Sequence, residues 1–170
     1  MNKRALYLGL IYSVLVIIYK LIIILSGYQL TKFGFYYSHF ISVVFIIPFM
    51  IIAIKQVRDK DQGGIIAGRD AIKVALGVFG ISILILSAYN YIEFEWKMKE
   101  ISVQYYNSVD YLEFLKKQSK ITPAMYPKII EENIAALSAM KAVTAKLFSF
   151  FLISFSFAFI ISVFMKRSKA

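Results

Sequence analysis

Residues 93–146 read EFEWKMKEISVQYYNSVDYLEFLKKQSKITPAMYPKIIEENIAALSAMKAVTAK, the one long polar stretch in a 170-residue chain. Three apolar runs precede it and one follows. Each is about 20 residues or longer, enough for a helix to cross a hydrocarbon core of roughly 30 Å. The pattern predicts an all-α integral membrane protein forming a single membrane domain over residues 1–170. Its spans are expected at about 5–26, 33–54, 71–92 and 147–165, with 93–146 as a helical-hairpin insert between the third and fourth.

Composition agrees with lipid as the solvent. The chain is 59% hydrophobic with a mean hydropathy of +0.67, against about 45–50% apolar residues in soluble domains. Cysteine is absent, which excludes disulfides and thiolate metal sites. The formal charge of +10 does not point to nucleic acid, because its carriers flank the spans. Lys3 and Arg4, then Lys55, Arg58, Lys60, Arg69 and Lys73, then Lys166, Arg167 and Lys169 make ten of the twenty basic residues. The insert carries eight lysines against seven acids. Gly27–Ser38 carries only Lys32. By the positive-inside rule both termini and the middle loop are cytoplasmic and the insert faces outward.

Lys3 and Arg4 ahead of an apolar run would also suit a signal peptide. Ile24 stands where cleavage near Ser26-Gly27 requires a small residue, so the expectation is an uncleaved span. Lys20 lies inside that span. It either snorkels to the nearer interface or meets a partner carboxylate or ligand within the bundle. Tyr28, Phe33, Phe35, Tyr36 and Tyr37 read as an interfacial aromatic belt. Pro48 should kink the second span. The only histidine, His39, reads as an interfacial hydrogen-bonding group, with no second metal ligand in sight.

Small residues mark the helix-packing faces. Ser154, Ala158 and Ser162 recur at four-residue spacing on the last span, and Gly77 and Gly80 lie on the third. Backbones approach closely through such residues in lipid, so these two spans are expected to make the tightest pair.

Within the insert, Met98, Ile101, Tyr105, Val109, Leu112 and Leu115 follow the helical period. After a break at Ser119–Pro127, Ile130, Ile134, Leu137, Met140 and Val143 form a second stripe. Pro127 should push Tyr126 out of helical geometry and open the second helix. That helix is expected to run unbroken to Met165, about 58 Å at 1.5 Å per residue. The two stripes either zip together as a hairpin, with Leu112 facing Leu137, or the first helix lies flat on the headgroups.

The basic N-terminus, the proline-bearing second span, Lys55-Gln-Val-Arg-Asp-Lys60 and Gly63-Gly64-Ile65-Ile66 together resemble the bacterial domain-of-unknown-function family 4199, as do the helical insert and the small-residue last span. The resemblance covers nearly the whole chain. It implies a small four-span protein of the bacterial inner membrane, and no activity or functional residue.

No nucleophile–histidine pair, metal-spaced cluster or phosphate loop is present, so the chain is not expected to be an enzyme and no cofactor is implied. No acid lies deep in a span, and Glu93 and Glu95 are expected to be solvated, since residues two apart do not share a helix face. The leading expectation is a non-catalytic scaffold or interaction protein working through its insert. Its partners would be the bilayer and either a second copy or another membrane protein, with no nucleic acid and no known small-molecule substrate. The alternative is a transporter or channel subunit with Lys20 facing the bundle interior and Asn90 as a second intramembrane polar group. Four spans, no coupling carboxylate and no internal repeat stand against it.

Overall fold

The first helix, α1 (Lys3–Leu25), begins at Asn2, whose side chain accepts a hydrogen bond from the Arg4 amide at 2.8 Å. It ends at Gly27, which takes the left-handed conformation (φ 71°) that favours glycine. A single 3₁₀ turn, Tyr28–Leu30, leads to Thr31, whose hydroxyl caps α2 (Lys32–Val44) by accepting from the Gly34 amide at 3.0 Å. In this computed structural model residues 2–118 and 121–166 are described. Arg167 and Lys169 of the basic C-terminal flank, and the side chains of Lys32, Tyr36 and His39, lie outside that description.

Pro48 kinks the second span as expected, and the position of the kink follows from its geometry. A proline ring clashes with the carbonyl four residues earlier, here that of Val44. The helix stops there, Phe45 forms the joint, and α3 (Ile46–Gln56) restarts with Pro48 in its first turn. Tyr12 of α1, fully buried, donates its hydroxyl to the Ser42 carbonyl at 2.6 Å just before the joint.

A π-helical segment, Val57–Asp61, follows α3, and Gly63 and Gly64 turn the chain at φ 62° and 89°. The third span, α4 (Gly68–Glu93), does not stop at the expected boundary. It continues through a π-helical segment, Phe94–Met98, into α5 (Lys99–Tyr106), so one helical path covers 39 residues. At about 1.5 Å per residue this path is close to 58 Å long, nearly twice a bilayer core. Projection beyond the span was expected of the other limb. The run from Pro127 to Met165 is interrupted at Ala136–Ser138 and divides into α7 (Tyr126–Ala135) and α8 (Ala139–Met165). Between α5 and α7, α6 (Val109–Lys116) starts afresh at Ser108, whose hydroxyl accepts from the Tyr111 amide at 3.2 Å. Tyr126 keeps helical geometry (φ −58°, ψ −47°) despite Pro127, which occupies the tolerated first turn of α7.

The described residues form helices and no strand, and four helices are long and apolar enough to cross a membrane. Their packing is inside-out relative to a soluble protein. On α1, Leu10, Val14, Ile18 and Ile22 are exposed, while Gly9, Tyr12 and Ser13 are buried. On α8, Phe151, Phe155 and Phe159 point outward and Ser154, Ala158 and Ser162 inward. Large apolar groups facing out and small or hydroxyl groups facing in is the distribution expected when the outer solvent is lipid. Buried hydroxyls are mostly satisfied within their own helix: Ser13 donates to Gly9, Ser82 to Val78 and Ser162 to Ala158.

Central among the spans, α4 packs most extensively against α8 and α1. Between the spans, a glycine marks a close backbone approach of α1 to α4, at a position not singled out by sequence. A Cβ placed on Gly9 would sit 2.7 Å from the Val78 carbonyl oxygen, and Gly9's own carbonyl accepts from Ser82 at 3.2 Å. Gly80, by contrast, has nothing within 4 Å of a Cβ position. It is no close-approach point, so small size alone did not identify the contact.

Candidate functional site

The site forms where α1, α4 and α8 meet below the insert. On α4, Asn90 and Glu93 are three residues apart and therefore share a face. Lys20 reaches them from α1. Its ammonium donates to the Asn90 Oδ1 at 2.5 Å and to the Glu93 Oε2. From α8, the Lys146 ammonium lies 3.5 Å from the same Glu93 oxygen. The Glu93 side chain is 2% exposed and that of Lys20 13%. Lys20 also sits 5.0 Å from the centre of the Tyr89 ring, a cation–π contact. The Tyr89 hydroxyl is buried close to Glu93 but makes no hydrogen bond of normal geometry among the described residues.

Glu93 is the correction here. Glu95 is exposed, as expected, but Glu93 is not solvated. Residues two apart lie on different faces of a helix, so with Glu95 facing water Glu93 is free to face the bundle. The π-helical segment that follows explains how the buried face is maintained. An α-helical period would bring Lys97 round beneath Glu93, whereas a five-residue step brings Met98, and Glu93, Phe94 and Met98 are all buried.

Two cavities flank the pair. One, about 50 Å³, is bordered by Lys20, Ser87, Asn90 and Lys146 against apolar walls that include Val16 and Phe150. The other, about 10 Å³, lies toward Glu93, Tyr19, Gln29 and Ser38. There Ser38 donates to the Gln29 Oε1 at 3.1 Å. Among the described residues no cluster of three or more His, Asp or Glu could hold a metal ion.

The sequence-selected residues fall into place unequally. Lys20 and Asn90, named separately, are brought together. Ser154, Ala158, Ser162 and Gly77 are buried in the bundle, while Gly80 is only half-buried. The insert stripes divide between two clusters. Ile101 joins Ile24, Phe94, Met98 and Ala139 at the insert's base, with Leu137 packed against them. Tyr105, Tyr111 and Leu115 form the upper cluster, against which Phe35, Ile129 and Ile130 pack. Leu112, Ile130 and Ile134 line one open groove of about 600 Å³. Leu112 and Leu137 therefore belong to different surroundings and are not opposed. Val109, assigned to the first stripe, is 70% exposed because the restart at Ser108 resets the helical phase, and Met140 of the second stripe is 67% exposed.

The upper cluster fastens the insert to the spans. Phe35 of α2 stacks on Tyr105 of α5 with ring centres 4.1 Å apart and planes within 13°. The Asn133 amide of α7 donates to the Tyr111 hydroxyl of α6 at 2.9 Å. Such aromatic pairs contribute about 0.5–1.5 kcal/mol beyond area burial.

The model of a family described as a protein of unknown function (DUF4199) matches residues 3–167, and the chain belongs to that family. Neither the curated proteins nor the solved structures contain a match to it.

Proposed function

We propose that this family member is a non-catalytic membrane scaffold whose insert docks a second copy or another membrane protein. The observation that carries the reading is how the insert is held. It rides on the helical path Gly68–Tyr106, is stacked onto α2 through Phe35, and rests on α1 through the Ile24–Met98–Ile101 cluster. An element anchored at several points, with an apolar groove left open between Leu112 and Ile134, is suited to present a fixed surface.

The proposed location is the bacterial inner membrane, with the described terminal regions cytoplasmic and the insert outside. Supporting this, Arg4 pairs with Asp61 at 3.0 Å, which gathers the basic N-terminus and the Lys55–Lys73 region at one end. Gly68 faces Lys166 there, with 3.9 Å between a Cβ built on it and the lysine Cδ. A second reading, a transporter subunit, gains from Glu93, since a carboxylate within the bundle is the group it had lacked.

A photo-crosslinking residue at Leu112 or Ile130, introduced into the full chain in native membranes, tests the scaffold. A discrete adduct from these positions and none from lipid-facing Phe159 is the expected result. Absence of any adduct, together with ion flux through reconstituted vesicles that Glu93→Gln abolishes, would replace the scaffold with the transporter.

A further inference from the structure

The charges around Glu93 do not balance. Two ammonium groups, of Lys20 and Lys146, converge on a single carboxylate oxygen. Asn90, Ser87, Tyr89, Gln29 and Ser38 contribute polar groups around the pair but no charge. With Lys20 13% and Lys146 29% exposed, water meets the excess charge only in part, and a charge left partly desolvated without a partner is disfavoured. The arrangement also has a direction. Lys20 borders both cavities; the 10 Å³ one also meets Glu93, whereas the 50 Å³ one also meets Lys146 and Asn90 and no carboxylate among the described residues.

We propose that the larger cavity is a binding site for a small monovalent anion, a halide or one of similar size. Lys20 spends two ammonium protons on Glu93 and Asn90, which leaves a third. Asn90, which borders the cavity, accepts from Lys20 through its oxygen, so its amide protons are what it can offer a ligand. Ser87 is not a donor, because its hydroxyl is turned back to the Ile83 carbonyl. The site therefore offers two ammonium groups and one amide, and no charged acceptor. A cation would be repelled, and a neutral occupant would leave the excess charge uncompensated. Water needs roughly 10–15 Å³ per molecule on this measure, so 50 Å³ holds a few waters or one small anion. The inference goes beyond the scaffold reading and does not depend on it, since the insert's groove lies elsewhere.

The test uses the full-length protein in mild detergent, with bromide replacing gluconate at constant ionic strength. A ligand that binds only the folded state raises the unfolding midpoint in a saturable way. The parent should show a saturable rise of several degrees, and so should Lys128→Met, a change at an exposed lysine of α7. Lys146→Met should lose the rise. Val16→Phe, which narrows the cavity from its apolar wall without altering charge, should lose it too. Anomalous scattering from bromide in crystals of the parent should appear between Lys20 and Lys146, a readout that does not require either variant to fold. A rise that never saturates, a rise equal in Lys146→Met and Lys128→Met, or bromide density only elsewhere would overturn the proposal.

Discussion

Glu93→Gln is the most informative single change, because it keeps the side chain's size and removes only its charge. Lys20 would then lie 13% exposed with no counter-charge in contact. Breaking a buried ion pair by removing one partner costs about 3–5 kcal/mol. Asn90 still accepts from the ammonium, which holds the expected loss near the lower end, about 3 kcal/mol. This magnitude separates two accounts of the contact. An ordinary interhelical hydrogen bond within a membrane contributes about 0.6 kcal/mol on average and up to about 1.7. A loss near 3 therefore identifies a charge pair. Lys20→Met alone should cost less, because Lys146 remains 3.5 Å from Glu93. The double variant Lys20→Met, Glu93→Leu should recover most of the loss, since apolar replacement of a buried pair is often neutral or stabilising by about 1–4 kcal/mol. Reversible unfolding in mild detergent, followed by circular dichroism and by fluorescence of Trp96, the only tryptophan, gives all three values. If Glu93→Gln costs under about 1 kcal/mol, or if the double variant costs at least as much as Glu93→Gln alone, the pair is not a buried charge contact and the reasoning fails.

Two further pairs of changes test the packing. Gly9→Ala should push α1 from α4, because its Cβ would stand 2.7 Å from the Val78 carbonyl oxygen, with a loss of about 1–3 kcal/mol by thermal unfolding; Gly80→Ala, with open space at its Cβ, should be neutral or stabilising by up to about 1 kcal/mol. Ala158→Leu, at a position 1% exposed, should destabilise by a similar 1–3 kcal/mol, whereas Val163→Leu, at 48% exposure, should leave the midpoint unchanged.

The spans were legible because a run of some 20 apolar residues has few other readings. Their ends were less so, and the reasons differ. Nothing apolar changes at Ala139, and α8 simply begins eight residues before the uncharged run does, carrying Lys141 and Lys146 on its first turns. The interruption at Ala136–Ser138 has no glycine or proline to announce it; Ser138, in extended geometry at φ −150° and ψ 133°, is the sole residue there of a type that favours helix starts. Asn107-Ser108 did offer a signal, since Ser108 begins a helix with its hydroxyl turned to the Tyr111 amide. The regular spacing of Tyr105, Val109 and Leu112 outweighed it. In the candidate site, Lys20 and Asn90 were legible as polar groups within apolar runs. Glu93 was missed because it stands at the end of such a run, where sequence alone reads as the interface. A lysine within one span asks for a carboxylate at the same level of another, and Glu93, three residues from Asn90, was the acid that met this condition.

Why the fold keeps a charged pair here follows from what lipid does not provide. In water, a slip of one helix along another exposes apolar surface and is opposed by the hydrophobic effect. In a bilayer the exposed groups meet lipid, and the penalty largely disappears. Small residues permit close contact but tolerate a slip whenever the next small residue lies one turn away, as Ser154, Ala158 and Ser162 do on α8. A one-turn slip moves a side chain about 5.4 Å along the axis. For Gly9 this would set a larger residue against Val78, and for Glu93 it would part the carboxylate from Lys20. The two contacts lie at different levels of α1, eleven residues apart, so together they oppose sliding and tilting of α1 against α4. Lys146 extends the same constraint to α8 through Glu93. The insert depends on this register, because its base rests on Ile24 of α1 and Ala139 of α8 as well as on Phe94 and Met98. A double variant that regained its stability while its insert became open to protease would separate the two contributions of the pair, and the register would be the one lost.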